Sequence, residues 1–182
     1  MSNFADPSKS RVWLDGDAFR APAGTALPAD IFAATLTGWD AFGGIQAGFE
    51  VERAQEVTKL PIWNKQGTYR QVKGDEEGTI RMRPVDQSKA SALTLLTGGS
   101  IVAAAGGYEW VEGDSENFAL IIRVVDGVNK KAYFMKKAEL GNRPTETLND
   151  EQLAGWDMEI TPLVPDDSSK PIRPFTTENP LA

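Results

Sequence analysis

The sequence contains neither cysteine nor histidine. Their absence excludes disulfides, thiol nucleophiles, imidazole general bases and the usual structural zinc sites. The apolar runs are also short. Ile101–Ala105 is far below the roughly 20 apolar residues that a membrane-spanning helix needs. The first 11 residues lack the apolar segment of a secretory signal, so we expect a soluble protein made in the cytoplasm.

Positive charge is scarce relative to negative charge. The chain has 19 Lys and Arg against 26 Asp and Glu, which gives a net charge of -7 and a pI near 4.7. This balance argues against a protein that grips nucleic acid, because phosphate binding relies on clustered basic residues. It does not argue against a surface that DNA slides past. With 182 residues, of which 41% are hydrophobic, the chain favours one core and one domain.

The acidic and glycine-rich motifs carry no recognisable chemistry. Asp15 and Asp17 lack the other oxygen ligands of a calcium loop, and the acidic group Asp75–Glu77 is typical of a solvated turn. Gly43-Gly44-x-x-x-Gly48 does not have the spacing of a dinucleotide-binding loop. A glycosidase needs only two carboxylates, but nothing singles out a pair. We therefore predict no catalytic residue, no cofactor and no metal.

Residues 45–84 form the most informative stretch. Two extended segments are predicted, one entering through Gly48–Arg53 and one returning through Thr79–Pro84, with a turn at Lys73–Gly78. The connection is too long for an ordinary hairpin loop, which indicates a projecting arm. Its apolar tip has little core of its own to pack in, and exposed aromatic anchors usually mark a surface that another chain covers. We expect the tip and a basic pair on a later strand to form a subunit interface: Leu60, Ile62, Trp63, Tyr69, Lys136 and Lys137.

The rest of the chain reads as short strands around one helix. A first hairpin is predicted, with strands at Arg11–Leu14 and Asp17–Arg20 and a turn at Asp15-Gly16. A helical turn is expected near residues 30–36. The one helix is predicted at about residues 87–97, capped by Asp86 or Ser88 and followed by Gly98.

That helix is expected to turn Ala92, Leu93 and Leu96 toward a sheet. After it, an Ala-rich loop is predicted between two Gly-Gly pairs. Phe118–Val125 reads as a central strand between layers, because it is the most β-rich run of the chain. The sequence thus predicts a mainly antiparallel β-sandwich or split barrel, with one flanking helix and a long hairpin arm.

Two regions leave their roles open. The basic stretch from Lys130 to Arg143 fits a solvated face, a contact with the acidic arm of a neighbouring copy, or a nucleic-acid surface using Tyr133 and Phe134. From Pro162 onward the chain has five prolines and almost no periodicity. Residues 1–163 are therefore expected to form the single β-domain, and residues 164–182 an extended or disordered tail that orders only against a partner.

Taken in order, these pieces resemble the major tail proteins, the tail tube subunits, of long-tailed non-contractile bacteriophages. The resemblance runs from about Trp13 to Leu163, and order and spacing carry it rather than any single motif. Its pieces are Asp15-Gly16, Ala21–Pro28, Gly38-Trp39, Gly43–Ile45, the arm, Leu93–Leu96, Phe118–Gly127 with Lys131–Leu140, and Trp156–Pro162.

The resemblance implies a structural virion protein and not an enzyme. Such proteins assemble in the host cytoplasm as hexameric rings that stack into a tail tube, and the hairpins of the copies join an inner barrel. Implied partners are other copies, the tape measure protein, the tail terminator and distal tail proteins, and phage DNA as non-specific cargo of the lumen. Glu50, Glu52, Arg81 and Arg83 then face the lumen or a neighbouring copy.

Two alternatives stay open from the sequence. A tail completion or decoration protein would share this composition but form a ring that does not stack. A carbohydrate-binding β-sandwich would use Trp63, Trp110 or Trp156 as a platform. The size of the assembly separates them, since the carbohydrate-binding module is expected to be a monomer.

Overall fold

The computed structural model describes residue 6 and residues 9–179. Within this part the chain forms eleven strands and one helix, so the predicted mainly β, antiparallel class with a single helix is confirmed. In chain order the elements are β1 (Asp15–Pro22), β2 (Asp40–Ala41), β3 (Ile45–Ile62), β4 (Lys65–Pro84), α1 (Lys89–Leu96), β5 (Ser100–Ala104), β6 (Gly107–Val111), β7 (Phe118–Asp126), β8 (Asn129–Leu140), β9 (Thr145–Thr147), β10 (Gly155–Pro162) and β11 (Arg173–Thr176).

Nine strands form one antiparallel sheet. Its main path runs β2-β1-β7-β8-β10-β4-β3, while β11 pairs with β8 and β9 pairs with β10. The sheet curls so far that the Phe49 ring on β3 approaches Gly16 on β1, where an added Cβ would lie 2.9 Å from the ring. The two strands do not pair in the described structure, so the curled sheet stays an open, sandwich-like layer rather than a closed barrel.

Strand β7 lies at the centre, as predicted from its apolar run. Phe118 to Ile122 are all buried, and alternate residues serve opposite faces of the sheet. Leu120 and Ile122 join the main core, which includes residues of β4, β8 and β10. Ile121 joins a smaller core under the loop that contains Ile31. Each such side chain contributes about 1.5–3 kcal/mol when fully buried, so β7 holds both layers together.

The predicted first hairpin is wrong. Asp15 and Gly16 are not a turn, because β1 runs unbroken from Asp15 to Pro22 and pairs with β7 along its whole length. Arg11–Leu14 precedes the strand and is not part of it. The expected helical turn near residues 30–36 is also not helical, and its Ile31 and Leu36 are buried in the smaller core. In both places packing against β7 or its neighbours overrides the local turn signal.

The helix exists but buries a different face from the one predicted. Ser88 caps α1 by accepting a hydrogen bond from Ser91 N at 3.1 Å, and Thr97 has a left-handed φ of 46°. The buried residues are Ala90, Ser91, Thr94 and Leu96, whereas Ala92 and Leu93 are only half-buried. The Thr94 hydroxyl donates to Ala90 O at 2.8 Å, so this polar side chain is satisfied inside the core.

The Ala-rich segment after the helix is strand β5 of a second hairpin rather than the predicted loop. Strands β5 and β6 pair from Ser100↔Val111 to Ala104↔Gly107 and form a separate two-stranded sheet. Both strands are exposed along their whole length. Leu96 O holds the hairpin at its base by accepting hydrogen bonds from the backbone N–H groups of Gly99 and Gly113.

The C-terminal segment is ordered on its own domain, contrary to the expectation that it orders only against a partner. Strand β11 pairs with β8 from Arg173↔Phe134 to Thr176↔Lys131. Ile172 is 2% exposed and belongs to the main core. The predicted tail also includes residues 180–182, which lie outside the described residues.

Candidate functional site

The arm is one continuous hairpin. Strands β3 and β4 pair from Ile45↔Pro84 at the root to Ile62↔Lys65 at the end, and Trp63 and Asn64 make a two-residue turn. The turn predicted at Lys73–Gly78 is therefore wrong, because those residues lie within β4. They form a bulge there instead, where the pairing shifts between Gln55 and Val57.

The root and the distal part of the arm differ in what they bury. At the root, Phe49, Val51, Ile80 and Met82 pack on the main core. Beyond the pair Arg53↔Gly78 the hairpin extends for nine further residues of β3, a length of about 30 Å at roughly 3.3 Å per residue. Nearly all of this distal part is exposed, and its large exposed apolar residues are Val57, Leu60, Ile62, Trp63, Tyr69 and Val72.

Trp63 occupies the end of the arm. Its relative exposure is 103%, so no part of the described chain covers the indole ring. Leu60, Ile62 and Tyr69, predicted as interface residues, lie close by on the same distal part of the arm. The structure thus brings four of the six predicted interface residues together on one projecting tip. Their contact with another subunit stays a prediction.

A charged face lies on the opposite side of the root from the core. Because alternate residues of a strand point to opposite faces, the packing of Phe49 and Ile80 on the core places Glu50 and Arg81 outward. The face continues onto β10. In full it contains four carboxylates, on Glu50, Glu52, Asp157 and Glu159, and two guanidinium groups, on Arg81 and Arg83.

Arg81 is the centre of this charged face. Its guanidinium donates to Glu52 Oε2 at 3.0 Å, to Glu159 Oε2 at 3.2 Å and to Glu50 Oε1 at 3.3 Å. The hydrogen bond to Glu52, followed by that to Glu159, raises the pKa of Arg81 above its ordinary value. Arg83 donates to both carboxylate oxygens of Asp157 at 3.1 Å. All four residues predicted on the arm strands thus share one net acidic face, which is solvated at Glu50, Glu52 and Arg81 and mostly buried at the side chain of Arg83.

This combination of a β-domain with a bare projecting hairpin agrees with the comparison with known proteins. A family model described as phage tail tube protein matches residues 5–180 of the chain. The chain belongs to the phage tail tube protein family. No curated protein matches it. The membership makes it a structural component of the virion tail, as its resemblance implied.

The basic pair of this tail tube protein has partners within its own chain. Lys136 Nζ bonds Asp167 Oδ2 at 2.7 Å, and Lys137 Nζ bonds Asp166 Oδ1 at 2.9 Å. The hydrogen bond from Lys136, followed by that from Ser169, lowers the pKa of Asp167 well below its ordinary value. Lys136 and Lys137 lie on β8 and not on the arm of their own copy, and their contact with a neighbouring copy stays a prediction.

Two other basic residues of the stretch from Lys130 to Arg143 also have neighbours within the chain of the tail tube protein. Lys131 Nζ lies 5.1 Å from the centre of the Tyr133 ring, and Arg143 pairs with Glu112. The contact with Glu112 joins the base of the second hairpin to the segment before β9. Sequence reasoning missed the carboxylates that pair with Lys136, Lys137 and Arg143 because they are about 30 positions away along the chain and no local pattern links them.

Among the described residues of the tail tube protein, no group of three acidic side chains is placed to hold a metal ion. Asp17 is instead paired with Arg123, and Glu76 with Arg53. The side chain of Asp75, part of the acidic group noted in the sequence, lies outside the described residues. No helix in the described part is both long and apolar enough to span a membrane.

Proposed function

We propose that this tail tube protein assembles through its arm into hexameric rings, which stack to form the tube. The observation that carries the proposal is the distal part of the arm, which projects about 30 Å and ends in a fully exposed tryptophan. An isolated two-stranded hairpin is at best marginally stable in water, and an apolar tip invites coverage by another chain. Assembly supplies that cover from further copies, so no free edge is left.

In the tube, the charged face built by Glu50, Glu52, Arg81 and Arg83 is proposed to line the lumen. The four carboxylates of this face outnumber its two guanidinium groups, which gives the face a net charge of -2. A net acidic wall repels the DNA backbone, which lets DNA pass without sticking. The tape measure protein would occupy the same lumen during assembly in the host cytoplasm. The tail terminator and distal tail proteins would contact the two ends.

Deletion of Leu60–Gln66 tests the role of the arm. The cut leaves Gly67 to Arg70 as a four-residue loop that closes the pair Lys59↔Gln71, a normal hairpin length. We expect negative-stain microscopy to show tubes for the wild type and a folded, dispersed monomer for the deletion. The matched control is Val128→Ser at the exposed turn between β7 and β8, which is expected to keep the tubes.

Normal tubes from the deletion would contradict the proposal. If the wild-type protein forms rings that never stack, this result would favour a tail completion or decoration protein instead. A wild-type protein that is monomeric at every concentration would favour the binding module, for which the structure offers Trp110 and Trp156 in one groove but leaves Trp63 apart from them.

A further inference from the structure

A groove next to the second hairpin has no assigned role. It has a volume of about 420 Å³ and an apolar lining of Leu95 from α1, Trp110 from β6, Pro144 from the segment before β9, and Trp156 from β10. We refer to it as the tryptophan groove. Trp110 is 43% exposed, and it forms one side of an otherwise bare hairpin. Two partly exposed tryptophans in one concave site form an unusually large apolar surface for a partner to cover.

The groove lies between two acidic segments, residues 107–117 and residues 144–157, which we call its acidic banks. Each segment contains four acidic side chains and no basic one. Some of these carboxylates are neutralised within the chain, as Glu112 is by Arg143. In the described part of the chain the following five form no salt bridge: Glu109, Asp114, Glu146, Asp150 and Glu151. One of them, Glu146, lines the groove itself.

The distal part of the arm carries the opposite charge. Residues 57–73 contain four basic side chains, Lys59, Lys65, Arg70 and Lys73, and no acidic one. This is a sharp local reversal in a chain of net charge -7. Among the residues whose side chains are described, Lys59, Arg70 and Lys73 are exposed and form no salt bridge. The arm tip is therefore both apolar and basic, whereas the tryptophan groove is both apolar and acidic.

We propose that the arm tip of one copy binds the tryptophan groove of another copy, with Trp63 entering beside Trp110 and Trp156. The inference rests on the proposed function and names the surface that receives the arm. The occupant is a second copy because Trp63 is fully exposed on its own chain and so does not reach its own groove. The basic residues of the tip then face Glu146 and the acidic banks, which fixes the orientation of the contact.

The arm tip and the tryptophan groove are different surfaces, so a contact between them is head-to-tail. A contact between identical patches closes a dimer, whereas a contact between two different patches leaves one of each free on the growing assembly. Each added copy therefore presents a new groove and a new arm tip. Such head-to-tail contacts generate rings or open filaments, which is the kind of growth that a tube requires.

A cross-link between two single-cysteine variants tests the proposal. The native chain has no cysteine, so Asn64→Cys at the arm tip and Glu146→Cys in the groove are the only reactive thiols when the variants are mixed. With a short bis-maleimide, we expect a covalent dimer from the mixed polymer. The matched control pairs Asn64→Cys with Val128→Cys at an exposed turn, and no cross-link is expected from it.

The outcomes separate this inference from the proposed function. If the protein polymerises but the Asn64→Cys and Glu146→Cys variants do not cross-link, the arm-to-groove contact is wrong and the proposed tube assembly is unaffected. Equal cross-linking with Val128→Cys also overturns it. A protein that forms no polymer at all, with no cross-link, overturns both proposals.

A charge reversal gives an independent test. Arg70→Glu is expected to raise the concentration needed for polymerisation by about tenfold, because a like charge then faces the acidic banks. Combining it with Glu146→Arg should restore most of the loss. Lys170→Glu makes the same change in net charge at an exposed site outside both the arm tip and the tryptophan groove, and it should have little effect. If Arg70→Glu and Lys170→Glu behave alike, the contact is wrong.

Discussion

Substitution of Trp63 by alanine should weaken assembly while leaving the fold unchanged. The side chain is fully exposed on the monomer, so its removal should change the free energy of unfolding by no more than about 0.5 kcal/mol. If the indole is a buried anchor between copies, the same substitution costs each contact about 2 kcal/mol or more. That loss corresponds to a roughly 30-fold weaker contact. The two quantities therefore differ in size and are measured separately.

The assay for Trp63→Ala combines two measurements. Sedimentation over a concentration series gives the critical concentration for polymerisation, and urea denaturation of the dispersed protein gives the free energy of unfolding. The control is Val128→Ala, which also truncates a highly exposed apolar side chain but lies in the turn between β7 and β8, outside the arm. A Trp63→Ala protein that polymerises at the wild-type concentration would refute the reasoning. So would one whose loss of assembly is matched by a loss of stability.

Three further predictions concern stability. Ile172→Ala removes a buried core side chain and should lower the free energy of unfolding by about 2–5 kcal/mol in urea denaturation. Asp167→Asn should lower the melting temperature at pH 7. Because folding lowers the pKa of Asp167, this difference should begin to shrink as the pH falls below about 4 and should continue to shrink toward the lowered pKa. Gly99→Ala would place a Cβ 1.9 Å from Val111 O and should cost about 1–3 kcal/mol, while Gly107→Ala, with open space around it, should be neutral.

The arm was predictable because its evidence is local. Alternating residues such as Glu50 and Val51 indicate extended strands, and an apolar tip far from its own strands indicates projection. The prediction of an internal turn at Lys73–Gly78 was wrong because long-range strand pairing, and not the local sequence, decides the structure there. Two glycines around acidic residues are typical of a turn, but the pairing with β3 continues past them and turns them into a bulge.

The C-terminal segment and the second hairpin show where local patterns fail. The prolines after Pro162 made disorder a reasonable prediction, yet Pro174 lies within β11 and pairs with Tyr133 of β8. Ile172 follows a polar stretch, and only the fold shows that it fills a gap beside Gly78. In the same way, the alanines that follow Ile101 and Val102 have weak strand propensity, and pairing with β6 decides the structure of this segment.

The candidate site was predictable only in part. The sequence identified the residues of the charged face but not its direction, which the packing of Phe49 and Ile80 decides. The pairing of Lys136 with Asp167 joins residues 31 positions apart, and nothing in the local sequence indicates it. The arrangement of Trp110 and Trp156 in one groove likewise arises from tertiary structure alone.

An electron cryomicroscopy reconstruction of the polymerised protein tests the central claim most directly. We expect a hollow tube of stacked rings in which Trp63 is buried against a neighbouring copy. A protein that remains a monodisperse monomer at high concentration would contradict the account. A polymer in which the arm tips face solvent would contradict it equally.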